Sequence, residues 1–281
     1  PAELRDLLVA LVERRPDLAE WIESRLETAQ SEDTAGDSTN QSPDINRDSI
    51  RRHVQYVLQP PNERESQAYD TYATVETDVE ELGELLDQAR AAIEASDGES
   101  ALDVLDPLAD ELMDEEWLAL SYDDSQGIFE FFDDIDTALA EALLTANFAG
   151  SERDDWEAKL RGWKNEMSSY TDRPPYSVAL AVVQRDWDCD PIQEAMKPES
   201  SDADLWDKEH PWYARDVIRA RLNVLERQDR IEEYLNLAAA ADLTDAYVTM
   251  LVSEGRIDEA IEYGQQHLQA PEDSLTLAKA L

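Results

Sequence analysis

Apolar residues return every three or four positions along almost the whole chain, and that spacing leaves little room for anything except amphipathic helices. Leu4, Leu7, Leu8, Leu11 and Val12, then Leu18, Ala19, Ile22 and Leu26, predict two short helices meeting at Pro16. Leu82, Leu85, Leu86, Ala89 and Ile93 line one face of a helix expected from about 66 to 95. The pattern breaks at Ser96 to Glu99, where Gly98 is placed to turn the chain, and resumes with Ala101, Leu102, Val104, Leu105, Leu108 and Leu112. Phe131, Phe132, Ile135, Leu139 and Leu143 predict the next helix, and Trp156, Leu160, Trp163 and Met167 the one after it. Further helices are expected over 47–58, stopped by Pro60 and Pro61, and over 176–186, after Pro174 and Pro175. Glycine is only 8 of 281 residues and no stretch alternates as a strand does, so an all-β fold is excluded.

The last seventy or so residues contain an internal repeat. Leu225, Arg230, Ile231, Glu232 and Glu233 recur as Leu251, Arg256, Ile257, Asp258 and Glu259, 26 residues later. Each unit reads as a helix, a tight turn at Gln228-Asp229 or Glu254-Gly255, and a second helix. One helix pair cannot cover its own apolar stripe, so the expected architecture is all-α, with antiparallel pairs stacked as a tetratricopeptide-like α-α superhelix. Tetratricopeptide units run about 34 residues, so a 26-residue spacing implies shortened pairs. The divisions expected along the chain are an N-terminal helix pair (1–29), a flexible linker (30–46) and a helical domain with tetratricopeptide-like pairs (47–198). A polar linker (199–212) and C-terminal tetratricopeptide-like repeats (213–281), broken off within a further pair, complete the reading.

Charge narrows the partners. There are 66 Asp and Glu against 24 Lys and Arg, a formal net charge of -42. A field of that sign repels phosphate backbones and anionic lipid, so direct nucleic acid contact and membrane binding by this region are not expected. No apolar run approaches the roughly 18 residues of a membrane span, and no signal peptide is visible, so the chain is read as a cytoplasmic protein. The acids are spread evenly instead of forming a tail. That distribution suits a halophile, in whose cytoplasm salt screens the self-repulsion.

Chemistry-bearing motifs are few. Cys189 is the one cysteine, and His53, His210 and His267 lie far apart, so neither zinc nor any other metal site is expected. Asp186, Asp188 and Asp190 open like a calcium loop, but Pro191 and Lys197 stand where such a loop needs glycine and glutamate. No phosphate-binding glycine loop or nucleophile elbow occurs, so no catalytic residue and no cofactor are expected. The most cationic stretch, Arg47, Arg51, Arg52 and His53, is read as a helix face pairing with neighbouring acids. Of the seven tryptophans most are expected to anchor helix contacts; Trp206 and Trp212, with Tyr213, flank the polar boundary and are the candidate protein-contact residues.

The segments PAELRDLLVALVERRPDLAEWI, LLDQARAAIEASDGESALDVLDPL, RDWDCDPIQEAM and LERQDRIEEYLNLAAAADLTDAYVTMLVSEGRIDEAIEYGQQHL together resemble the helical region that follows the zinc finger in SWIM-type zinc-finger proteins. The acidic composition would make this a haloarchaeal member. The family's C-x-C and C-x-H ligands are absent, since Cys189 stands alone. The resemblance therefore implies a non-enzymatic scaffold mediating protein-protein interaction. The alternative it implies is a regulatory or recruiting module of a DNA-binding protein whose finger lies outside this chain.

Overall fold

A computed structural model describes residues 47–58, 71–113, 126–146, 148, 150–198, 205 and 211–267, with 71–79, 126, 127 and 267 described by backbone alone. The expected helix pair at 1–29, the linker at 30–46, most of the 199–212 linker with Trp206, and the apolar end at 274–281 lie outside the described residues. Every regular element among the described residues is an α-helix. In chain order they are α1 (Arg47–Val57), α2 (Thr71–Glu94), α3 (Gly98–Glu111), α4 (Gln126–Thr145), α5 (Gly150–Met167) and α6 (Ser177–Gln184). There follow α7 (Asp190–Ala195), α8 (Ala214–Arg227), α9 (Ile231–Ala240), α10 (Thr244–Ser253) and α11 (Ile257–His267). No described helix is long and apolar enough to cross a membrane.

Helices α2, α3 and α4 pack on one another, α1 lies on α3, α6 on α4, and α8 on α4 and α6. The apolar stripes that predicted the helices are the faces that meet: Leu82, Leu86, Ala89 and Ile93 of α2, Leu105 and Leu108 of α3, and Phe132, Ile135 and Leu139 of α4 are all buried. The cationic face of α1 is paired as expected from its acidic surroundings. Arg47 bonds Asp103 and Asp106 of α3, Arg51 bonds Asp110 and Glu111, and Lys159 of α5 holds Asp106 from the other side.

Gly98 does something other than turning the chain. The reversal between α2 and α3 is made by Ser96 at φ 59°, with Asp97 N–H donating to the Ala92 carbonyl and capping Ser100 N–H through its own carboxylate at 3.0 Å. Gly98 is the first residue of α3, and it abuts the last turn of α4.

The C-terminal helices obey a stricter period than the 26-residue repeat. Asp229, Asp242 and Gly255, spaced 13 residues apart, all have positive φ (56°, 54° and 73°). In each turn the next N–H donates to a carbonyl five residues back: Arg230 to Leu225, Leu243 to Ala238, and Arg256 to Leu251. The same left-handed cap thus closes α8, α9 and α10, and α10 and α11 each begin 13 residues after the helix before. Successive helices pack side by side, α8 on α9, α9 on α10 and α10 on α11, and Arg219 to Asp245 (2.6 Å) and Arg256 to Glu232 (3.0 Å) lace neighbouring turns. At Gly255 an added Cβ would meet nothing within 4 Å, so its only cost is the left-handed backbone. Gly255→Ala is therefore expected to lower stability by about 1–2 kcal/mol, and Asp242→Gly to raise it slightly, in chemical denaturation. Equal stability of Gly255→Ala and wild type would contradict this account of the turn.

The stack is fastened to the preceding helices by polar contacts. Glu141 of α4 is buried and accepts from Asn223 of α8 at 2.6 Å, while Arg227 bridges Glu141 and Glu94. Arg221, fully buried, donates to the Val217 and Arg185 carbonyls, the latter at the end of α6; burial drives its guanidinium down to about 10.

Candidate functional site

Of the large apolar side chains among the described residues, Trp212 and Ile257 are exposed, Trp212 at 41%. Trp212 and Tyr213 occupy the entry to α8, and their rings meet edge to face at 5.4 Å. Two chain segments remote in sequence complete the surface. The Arg173 guanidinium, in the connection between α5 and α6, lies 6.0 Å from the Trp212 ring centre, and Lys164 Nζ, near the end of α5, lies 5.2 Å from that of Tyr213. Arg215, one turn into α8 from Trp212, is exposed. Burial lowers the affinity of the half-buried Lys164 ammonium for its proton, and Asp136 opposes that effect.

Asp136 forms the floor beneath this surface. It stands on the apolar face of α4, four residues from Phe132 and three from Leu139, and is buried. Its carboxylate accepts from Val178 N–H (3.0 Å) and Ala179 N–H (2.8 Å), the free donors at the start of α6. Tyr176, the residue before α6, caps nothing with its side chain and takes φ 64°, so the cap for α6 comes from another helix. Burial raises the Asp136 carboxyl to about 7, against the lowering effect of the backbone N–H groups; Asp133, one turn away, adds repulsion. Asp133 itself reaches solvent, yet its carboxyl is also raised, by local desolvation first and then by Asp216, Asp134 and Glu130. The Tyr176 ring packs between Trp163 (5.1 Å) and Phe132 (6.2 Å), with its hydroxyl buried and without a hydrogen-bond partner among the described residues.

A carboxyl at about 7 in the fold and 3.8 unfolded binds its proton more tightly when folded. Its contribution is complete below pH 4, declines as pH rises to 7, and is constant above that. Asp136→Asn removes this decline. The stability of the variant relative to wild type is therefore expected to improve by a few kcal/mol, as an order of magnitude, between pH 4 and pH 8, because acids remote from Asp136 titrate alike in both chains. Parallel stability profiles in urea titrations across that range would show that Asp136 does not titrate near neutrality.

The sequence-selected Trp212 and Tyr213 thus lie together at one exposed face, while Trp206 lies outside the described residues. Nothing local to Lys164, Arg173 and Arg215 marks them in the sequence; the fold brings Lys164 to the Tyr213 ring and Arg173 to the Trp212 ring, and Arg215 stands exposed three residues after Trp212. Asp136 did carry a signal, being a carboxylate set into an otherwise apolar helix face. Elsewhere, Asp186 of the calcium-like run is bonded to Arg153 and to Trp187 N–H (2.7 Å). Among the described residues no group of three or more His, Cys, Asp or Glu side chains is placed to hold a metal ion. Comparison of the chain with protein-family models, curated proteins and solved structures gives no match.

Proposed function

We propose that this chain is a non-enzymatic helical-repeat scaffold that binds another protein through the Trp212–Tyr213 face. The observation that carries the reading is the exposure of Trp212 beside Tyr213, at a place where cations approach the rings from two other segments. Large aromatics that remain exposed in a well-packed fold are preferred anchors of protein interfaces, because they bury much area at little entropic cost. The buried clasp between Asp136 and the start of α6 ties α4 to the segment that follows Arg173. The 13-residue helix stack supports a short-period relative of the tetratricopeptide superhelix, and kinship with the helical region of SWIM-type zinc-finger proteins belongs to the same proposal. In that setting the scaffold recruits a partner to a finger carried elsewhere.

Photo-crosslinking tests the contact role. With p-benzoylphenylalanine at position 212, an extract of the native host is expected to yield a discrete crosslinked protein. Excess wild-type chain should compete it away and excess Trp212→Ala chain should not. The same label at exposed Glu254 should give no such product. Equal crosslinking at the two positions, or equal competition by both chains, would overturn the proposal.

A further inference from the structure

The cations at this face differ from the others in how they are used. Most described Lys and Arg side chains lie within ion-pairing distance of a carboxylate, as a chain with 66 acids and 24 bases would lead one to expect. Lys164, Arg173 and Arg215 have no carboxylate ion pair among the described residues; Arg173 lies by the ring of exposed Trp212, Lys164 by that of half-buried Tyr213, and exposed Arg215 follows Trp212 by three residues. Three acids near these cations are engaged elsewhere, while Glu166 and Asp172 share the segment of Lys164 and Arg173 without an ion pair to them. Asp245 feels Arg215 but is bonded to Arg219 at 2.6 Å, Asp216 lies toward Asp133, and Asp136 is buried against α6. Residues 161–173 and 211–219, the two segments that build the face, carry five basic and three acidic side chains, whereas the whole chain stands at -42.

We propose that the partner docks an acidic linear segment here, its Asp or Glu side chains on Arg173, Arg215 and Lys164 and an apolar residue against the Trp212 ring. This rests on the contact role proposed above and adds the chemistry of the occupant. A guanidinium at 6.0 Å from the centre of an aromatic ring, as Arg173 is from Trp212, keeps its N–H fork free to bind a carboxylate in bidentate fashion. A phosphate polymer is the poorer fit: it needs a continuous run of cations, and beyond these three side chains it meets a strongly negative surface. Exposed pairs of this kind weaken as salt rises, so binding should be tightest at the lowest salt that keeps the chain folded.

The test uses the full chain at the lowest KCl concentration that preserves its helical circular dichroism. Three labelled probes are compared by fluorescence anisotropy: a Glu-rich peptide with a central leucine, the same peptide with Gln for every Glu, and oligothymidine. The Glu peptide is expected to bind, with the Gln peptide at least about tenfold weaker. Arg173→Glu with Arg215→Glu should weaken the Glu peptide to the same degree, whereas Arg173→Lys with Arg215→Lys, which keeps the charge and loses the fork, should give an intermediate affinity. Both pairs change exposed side chains, so the fold is expected to survive and is checked by circular dichroism. Absence of Glu-peptide binding, equal binding of the Gln peptide, or oligothymidine binding as tightly would each overturn the inference. Crosslinking at position 212 separates the two readings. A partner captured equally by wild type and by the double Glu variant refutes the acidic occupant and leaves the contact role standing, while no specific capture at all refutes the contact role.

Discussion

Replacing Gly98 with alanine is expected to destabilise the protein by roughly 3 kcal/mol or more, the upper range for overpacking a fixed core. A Cβ at this position would lie 2.5 Å from the Ala142 carbonyl oxygen and 2.5 Å from the Ala146 nitrogen. Both atoms belong to the backbone at the end of α4, and they are already bonded to each other across 2.8 Å. No side-chain rotation can relieve the contact, so α3 must withdraw from α4 along an interface that buries Leu105, Leu108, Ile135 and Leu139. Gly83 and Gly162 supply the internal comparison. Each lies within a helix, α2 and α5, with nothing within 4 Å of an added Cβ. Gly83→Ala and Gly162→Ala are therefore expected to be neutral or to stabilise by about 0.5–1 kcal/mol through helix propensity. Thermal melts of the three variants should split in sign, and Gly98→Ala melting with the other two would mean that the α3–α4 approach is looser than described.

The second large effect is expected from salt. At -42 the chain repels itself, and the repulsion is visible locally: Asp133 is held above its ordinary range in part by Asp216, Asp134 and Glu130. Many of the ion pairs that offset it are at the surface, such as Arg90 with Asp134 and Arg219 with Asp245, and each contributes little. Screening should therefore help more by weakening repulsion than it harms by weakening pairs. Raising KCl from about 0.1 M to about 2 M, where the Debye length falls below about 3 Å, is expected to raise the melting temperature by roughly 10 °C or more. A melting temperature that stays level or falls would contradict the reading of the acidic surface as an adaptation to salt.

How far the fold is legible in the sequence depends on the distance over which each feature is written. Helices need only local spacing, and the stripes at Leu82 to Ile93 and Phe131 to Leu143 place α2 and α4 within a few residues of where they lie. The 26-residue repeat was readable because Arg230-Ile231 and Arg256-Ile257 match by type. The intermediate turn at Asp242 escaped because Leu243-Thr244 shares only the backbone conformation, which residue type barely encodes when aspartate stands in for glycine. Gly98 shows the opposite failure: a glycine beside Ser-Asp reads as a turn, and only the position of α4 reveals that the missing side chain makes room for another backbone. At the candidate site, the aromatic pair was legible from composition at a polar boundary. Lys164 and Arg173 were not, because they are ordinary surface cations until α5 and α6 fold them against α8.

The proposed contact role makes Trp212 dispensable for folding and necessary for binding. The measurement that separates these is the affinity of Trp212→Ala for the protein crosslinked at position 212, taken alongside its melting temperature. Trp212 lies outside the buried core yet is more than half covered, so the melting temperature should fall by no more than about 4 °C, corresponding to about 1–2 kcal/mol. As an aromatic anchor it should contribute about 2 kcal/mol to binding, and its loss should weaken the complex by roughly thirtyfold. Unchanged affinity in a fully folded Trp212→Ala chain would contradict the assignment of this face as the place where the scaffold meets its partner.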